Sequence, residues 1–152
     1  LGPSALLDQF IEIVSTLDEQ AHAAPAFLQL PPWFGAQRFN ELVAFLQRLP
    51  GHLRWALEVR HESWFQDDSV EAELHEALVS IGIDRVIFDS RALFQSPPDD
   101  EVEAESQKRK PKSPLRFVRT GTRPLLRIVG RNRVEMADRF VAEWLPVLDQ
   151  WV

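Results

Sequence analysis

The amino-acid sequence predicts an α/β fold in which parallel strands alternate with helices. Short apolar runs, typical of strands buried on both faces, alternate along the chain with longer stretches whose apolar residues recur every three or four positions. Proline and glycine breakers separate the two kinds of segment. This alternation indicates a parallel sheet covered by helices. The local pattern alone fits an open doubly wound sheet as well as a barrel.

Four segments have the periodicity of amphipathic helices, and Gly82 is expected to close the third of them. Asp68 with Glu71, and Asn132 with Glu135, have the spacing of a capping box ahead of the last two helices. The expected helices cover about residues 6–17, 39–49, 69–81 and 136–148.

Four shorter runs predict the strands, and a polar segment interrupts the pattern late in the chain. Residues 95–113 contain Ser-Pro-Pro-Asp-Asp, an acidic run and a lysine-rich run, with no periodic apolar positions. We therefore expect a loop or lid there, within one domain that covers residues 1–152. The expected strands are residues 26–30, 55–60, 85–89 and 125–129.

Composition narrows the class of protein. A net charge of −6 and a pI near 5.2 argue against a protein that coats nucleic acid or an anionic membrane. The chain has no cysteine, which excludes disulfides and thiolate metal sites and favours a reducing compartment, with the cytoplasm as the default expectation. No membrane span is expected, since no run of about eighteen apolar residues occurs. No glycine-rich phosphate loop follows a strand, and we expect no cofactor.

Side-chain alternation predicts one polar layer inside the sheet. In the second strand Glu58 points away from Leu57 and Val59, and if that aliphatic face packs on helices, Glu58 faces the interior. Gln29 of the first strand and Arg127 of the fourth would share this layer. Glu58 is then either a structural ion pair with Arg127 or Arg60, or a general acid or base; a neighbouring arginine favours a base.

Other polar and aromatic residues stand where strands end, the usual position of ligand sites in parallel α/β folds. His61 is either a hydrogen-bonded loop histidine or a catalytic group, and Asp89 either caps a turn or holds a substrate hydroxyl or an arginine. Trp33 and Trp64 form an aromatic rim for a ligand or pack under a lid. A metal held by Glu58, His61 and Asp89 is not expected, because no ligand pair has metal-motif spacing.

The clearest predicted binding site follows the fourth strand. Gly130, Arg131 and Asn132 lead into a helix whose free N–H groups favour an anion, and Arg127 and Arg131 could add bidentate contacts. This pattern indicates a phosphate or carboxylate. The basic run at residues 108–112 could close over it, although a solvated charge run is the more common outcome.

Three functions fit these features. The first is a hydrolase, lyase or isomerase acting on a small phosphorylated or carboxylated compound, with Glu58 as the base. The second is a non-catalytic module that binds nucleic acid or a protein partner through residues 108–112. The third is an incomplete barrel without activity, whose exposed strand edges would favour a dimer.

Three segments carry a family resemblance: FLQLPPWF, LEVRHESWF and VIFDSRALF, in that order and spacing. They resemble the YecE-like family, a domain of unknown function (DUF 72) with a TIM-barrel-like fold. The resemblance covers essentially the whole chain. The residues that fall on the most specific block are Glu58, Arg60, His61, Ser63 and Trp64.

The resemblance implies part of a barrel. Family members have further strands before and after the ones found here, so this chain, which begins at Leu1, would hold about four of eight β/α units. The segment between Gln107 and Asn132 resembles a bacterial branch with a lysine-rich insertion. Val129 stands where other branches have a histidine. The family implies no reaction.

Overall fold

The computed structural model describes residues 3–19 and 24–151. The strands are β1 (Ala26–Gln29), β2 (Trp55–Glu58), β3 (Asp84–Arg85), β4 (Ile87–Asp89) and β5 (Leu126–Ile128). The helices are α1 (Pro3–Glu19), α2 (Phe39–Leu46), α3 (Asp68–Ile81), α4 (Arg91–Phe94), α5 (Glu101–Arg109) and α6 (Asp138–Asp149). Short 3-10 turns cover Ala36–Arg38, Glu62–Trp64 and Val134–Met136. None of the helices in the described ranges has both the length and the apolar character to cross a membrane.

The strands pair in parallel in two small sheets. β1, β2 and β3 form one sheet, and β4 and β5 form the other. Gln29 lies beside Glu58 in the first sheet, and Phe88 beside Arg127 in the second. The α/β fold with parallel strands is confirmed. The prediction of one continuous strand over residues 85–89 is wrong, because the chain leaves β2 after β3 and then pairs with β5.

The core lies between the first sheet and helices α2 and α3. Leu42 and Leu46 lie four residues apart on α2, as do Leu74 and Leu78 on α3, so each pair shares one helix face. All four are at most 1% exposed, as is Leu57 of β2. Burial of one such side chain contributes about 1.5–3 kcal/mol. This packing turns the aliphatic face of β2 toward the helices and leaves the next residue, Glu58, on the other face.

Helix α3 ends as predicted but begins differently. Gly82 follows it in the left-handed conformation, and its N–H donates to the Leu78 carbonyl at 2.9 Å. The capping-box prediction is wrong, because Asp67 rather than Asp68 accepts the Ser69 N–H, at 2.8 Å. Glu71 is buried instead of reaching back along the helix, because arginines from distant segments bind it.

The segment predicted to be a loop contains a helix. Asp100 accepts the Glu103 N–H at 2.8 Å and starts α5. Gln107 donates to the Leu93 carbonyl at 2.8 Å and anchors the same helix. Because polar side chains hold α5 in place, an apolar stripe is not needed and periodicity could not reveal it. The second capping-box prediction is also wrong, since Asn132 binds Glu103 and Asp100 rather than capping α6.

The left-handed conformation of Gly82 gives a test of the fold. Gly82 has φ +79°, and an added Cβ would meet no atom within 4 Å, so replacement by alanine costs only backbone strain. We expect Gly82→Ala to lower the free energy of unfolding by about 1 kcal/mol, measured by urea denaturation. Gly51→Ala is the matched control: its Cβ also meets nothing and its φ is not positive, so no loss is expected. Equal losses in both variants would contradict this account.

Candidate functional site

A buried carboxylate at the end of β2 organises the candidate site. Glu58 is 1% exposed. Its Oε1 accepts a hydrogen bond from Gln29 Nε2 at 2.7 Å, and its Oε2 accepts one from Arg127 Nη1, also at 2.7 Å. The polar layer that alternation predicted is therefore present. It joins β1 and β2 of one sheet to β5 of the other.

Arg127 is held in a fixed orientation, and part of its guanidinium has no hydrogen-bond partner among the described residues. Its guanidinium lies 5.5 Å from the Phe27 ring and 5.3 Å from the Phe88 ring, both of which pack against it. The side chain is 29% exposed. Among the described residues, Nε and Nη2 have no hydrogen-bond partner, so an oriented arginine retains donors for an anion.

Arg60 continues the same face beyond the strand. Its Nε lies 4.0 Å from Glu58 Oε1, while its Nη2 donates to the Arg109 carbonyl at 2.6 Å. The second contact ties the end of β2 to the end of α5. Within the described part of the chain, the buried Nε of Arg60 makes no hydrogen bond. Arg60 therefore also carries an unused donor next to Glu58.

The loop after β2 uses its predicted site residues mainly for structure. His61 Nδ1 accepts the Ser63 N–H at 3.1 Å and starts the turn Glu62–Trp64. Trp64 is fully buried and donates to the Phe34 carbonyl at 2.9 Å, so it forms no rim around a ligand. Trp33 is 63% exposed and stacks on Arg38.

Asp89 does not join Glu58. The register places Phe88 beside Arg127, and Asp89 therefore points to the opposite face, where it accepts a hydrogen bond from Trp144 Nε1 at 2.9 Å. Burial raises the pKa of Asp89, but hydrogen bonds from Arg91 and Trp144 outweigh it and leave the pKa lowered. Its Oδ1 also accepts the Arg91 N–H at 3.0 Å, so Asp89 both caps the turn after β4 and holds the Arg91 side chain. No three carboxylate or imidazole side chains in residues 3–19 and 24–151 are grouped as metal ligands would be.

The anion site predicted after β5 is filled by the chain itself. Glu103 of α5 accepts the Asn132 N–H at 3.1 Å and the Arg131 Nε at 2.9 Å. The Arg131 side chain is completely buried and also donates to the Pro97 carbonyl at 2.9 Å, so the prediction that it binds substrate is wrong. Gly130 precedes this turn, and a Cβ added to it would lie 3.5 Å from the Ala137 Cβ, an ordinary contact distance. No local pattern signals this pair, because 28 residues separate its members.

Comparison with known proteins identifies the family. A family model described as "Protein of unknown function DUF72" matches residues 2–152. The chain belongs to this family. The UPF0759 protein YecE of Escherichia coli K12 is 37% identical over 125 residues, which cover 82% of this chain and 46% of that protein. Its counterpart in E. coli O157:H7 is 36% identical over the same length.

Solved structures of DUF72 proteins share the fold. A DUF72 family protein from Enterococcus faecalis V583 superposes with a TM-score of 0.69 at 17% identity, over 99% of this chain and 57% of that one. Another, from Thermotoga maritima MSB8, gives a TM-score of 0.64 at 20% identity, over 100% of this chain and 56% of that one. The chain thus spans about half the length of the DUF72 relatives it matches.

The Glu103–Arg131 pair gives a prediction about pH. Hydrogen bonds from Arg131 and from the Asp99 N–H lower the pKa of Glu103 from 4.5 to about 2. A lowered pKa contributes stability that is present above about pH 4.5 and is lost as the pH falls toward 2. We expect Glu103→Gln to lower the Tm at pH 7, and the difference from wild type to shrink as the pH falls through this window. Calorimetry at several pH values measures it.

Glu101→Gln is the control for this experiment. Glu101 lies in the first turn of the same helix but is exposed, so its replacement removes an equal charge without breaking the buried pair. We expect little change in Tm at any pH. If the Glu103→Gln difference stayed constant from pH 7 to pH 2, the ion pair would not be its cause.

Proposed function

We propose that Glu58 and Arg127 belong to an enzyme site that acts on a small carboxylated or phosphorylated compound. The observation that carries the proposal is the fixed, partly exposed Arg127 guanidinium, which keeps two nitrogens without a partner in the described residues while it pairs with the buried Glu58. Arginine binds carboxylates and phosphates through such paired donors. An anion bound there lies next to a carboxylate that can accept a proton.

The chemistry suited to this arrangement is proton transfer close to the bound anion. Each oxygen of Glu58 has one hydrogen bond in the layer, and a carboxylate oxygen can accept more than one. An anion bound to Arg127 partly neutralises the positive charge beside Glu58. Glu58 then accepts a proton more readily. Removal of a proton from carbon or from water would make the enzyme a lyase, an isomerase or a hydrolase.

The alternative, a binding module that uses residues 108–112, has less support. Arg109 is paired with Glu105 at 2.7 Å, and its carbonyl accepts the bond from Arg60. These contacts place the basic run at the end of a helix rather than on a free arm. Lys108 and Lys112 are exposed, as expected for a solvated charge run.

Glu58→Gln tests the proposed function. The amide keeps the size of the side chain but cannot accept a proton, and we expect turnover of the full-length protein to fall about 10²–10⁴-fold. The substrate is found first by screening wild type against phosphorylated and carboxylated metabolites. Glu41→Gln, on the exposed face of α2, is the control and should keep wild-type turnover.

Stability separates catalysis from structure in this experiment. If Glu58 is only a structural ion pair, Glu58→Gln should lower the Tm by several degrees and leave the turnover of the folded fraction unchanged. That result would contradict the proposal. Arg127→Lys keeps the charge but removes the bidentate geometry, and we expect it mainly to raise KM.

A further inference from the structure

A cleft of about 560 Å³ opens between the end of β2 and the segment that follows α5. Its apolar walls include Pro32, Phe65 and Pro114, and its polar lining includes Arg60 and Lys112. The volume is in the range of small-ligand sites in proteins, about 300–1,000 Å³. The cleft therefore has the size and mixed lining of a ligand site, although it lies outside the Glu58–Arg127 pair.

Two buried polar atoms of the lining residues have no partner. In the described part of the chain, the Nε of Arg60 and the Oγ of Ser113 are both buried without a hydrogen bond. Such atoms are costly to leave unsatisfied and often mark the place of a missing ligand or ordered water. Arg60 itself is immobilised, because its Nη2 is bonded to the Arg109 carbonyl at 2.6 Å.

The positively charged side chains that line the cleft favour an anionic ligand. Arg60 and Lys112 come from different segments and line the same cleft, with His61 beside them and Glu62 as the acidic residue of the lining. Two cations that line one cleft from separate segments suit a phosphate ester, which carries more charge than a carboxylate. The proline and phenylalanine rings provide flat apolar walls, against which a sugar or another ring can pack.

We propose that this cleft binds a small phosphate ester carried on a ring, with the phosphate at Arg60 and Lys112 and the ring against Pro32 and Phe65. Ligand binding in this cleft does not require Glu58 to act as a base. Arg60 nevertheless adjoins both, since its Nε lies 4.0 Å from the Glu58 carboxylate. Lys112, at the end of the basic run 108–112, thus becomes a ligand-binding residue of this cleft.

The test measures binding of glucose 6-phosphate to the full-length protein by calorimetry at constant ionic strength, beside glucose and inorganic phosphate. We expect saturable binding of glucose 6-phosphate, weaker binding of inorganic phosphate, and none of glucose. Lys112→Ala should weaken binding of glucose 6-phosphate about tenfold, because one charged hydrogen bond is lost. Lys112 is exposed, so the variant should fold normally.

Lys108→Ala is the matched control. Lys108 is exposed on the last turn of α5 and does not line the cleft. Its replacement by alanine removes the same charge as Lys112→Ala. The Lys108→Ala variant should bind glucose 6-phosphate with the affinity of the wild-type protein. Equal weakening in the two variants would show attraction by the general field of the basic run and would overturn the proposal, as would the absence of saturable binding.

One further variant separates this site from the proposed function. If Arg127→Gln abolished binding while Lys112→Ala left it unchanged, the phosphate would lie at Arg127; the cleft proposal would fall and the proposed function would stand. If inorganic phosphate bound as tightly as glucose 6-phosphate, the role of the ring walls would be refuted.

Discussion

The structure depends on the pairing of one buried carboxylate. Glu58 lies in a nearly water-free environment, where an unpaired charge would cost several kcal/mol, so its partners must stay in place. One partner, Gln29, belongs to the neighbouring strand, and the other, Arg127, comes from the second sheet, 69 residues further along the chain. The pair therefore fixes how the two sheets lie relative to each other. It also holds Glu58 beside an arginine that has two unpaired nitrogens among the described residues.

The same constraint recurs throughout the described part of the chain. Each buried carboxylate there is paired with an arginine, and most of these pairs join segments that are distant in sequence. Such pairs explain how residues 95–113 include an ordered helix without an apolar stripe: Glu103 anchors it from inside. The pairs are Glu58 with Arg127, Glu71 with Arg85, Asp89 with Arg91, and Glu103 with Arg131.

The difference between local patterns and long-range ion pairs explains which features could be predicted from the sequence. Strand and helix patterns depend on residues a few positions apart, so the α/β fold and the inward direction of Glu58 follow from periodicity. The partners of Glu71 and Asn132 are distant in sequence. Both capping-box predictions were wrong because each residue binds a charged side chain from another segment. The contact of Asp89 with Trp144 could not be predicted, because the strand register that turns Asp89 toward Trp144 is a tertiary property.

Arg127 and Arg131 show why the presence of arginine does not by itself define an anion site. Arg127 lies within the fourth expected strand and Arg131 follows it, and the sequence makes both of them candidates for the same anion site. Arg131 uses Nε, Nη1 and Nη2 to bind Glu103, Ser96 and Pro97, and its side chain is completely buried. Arg127 has one such hydrogen bond and is 29% exposed. Recognition of an anion requires donors that the protein has not already used, so the proposed site is narrower than the set of polar strand ends and consists of Glu58, Arg127 and Arg60.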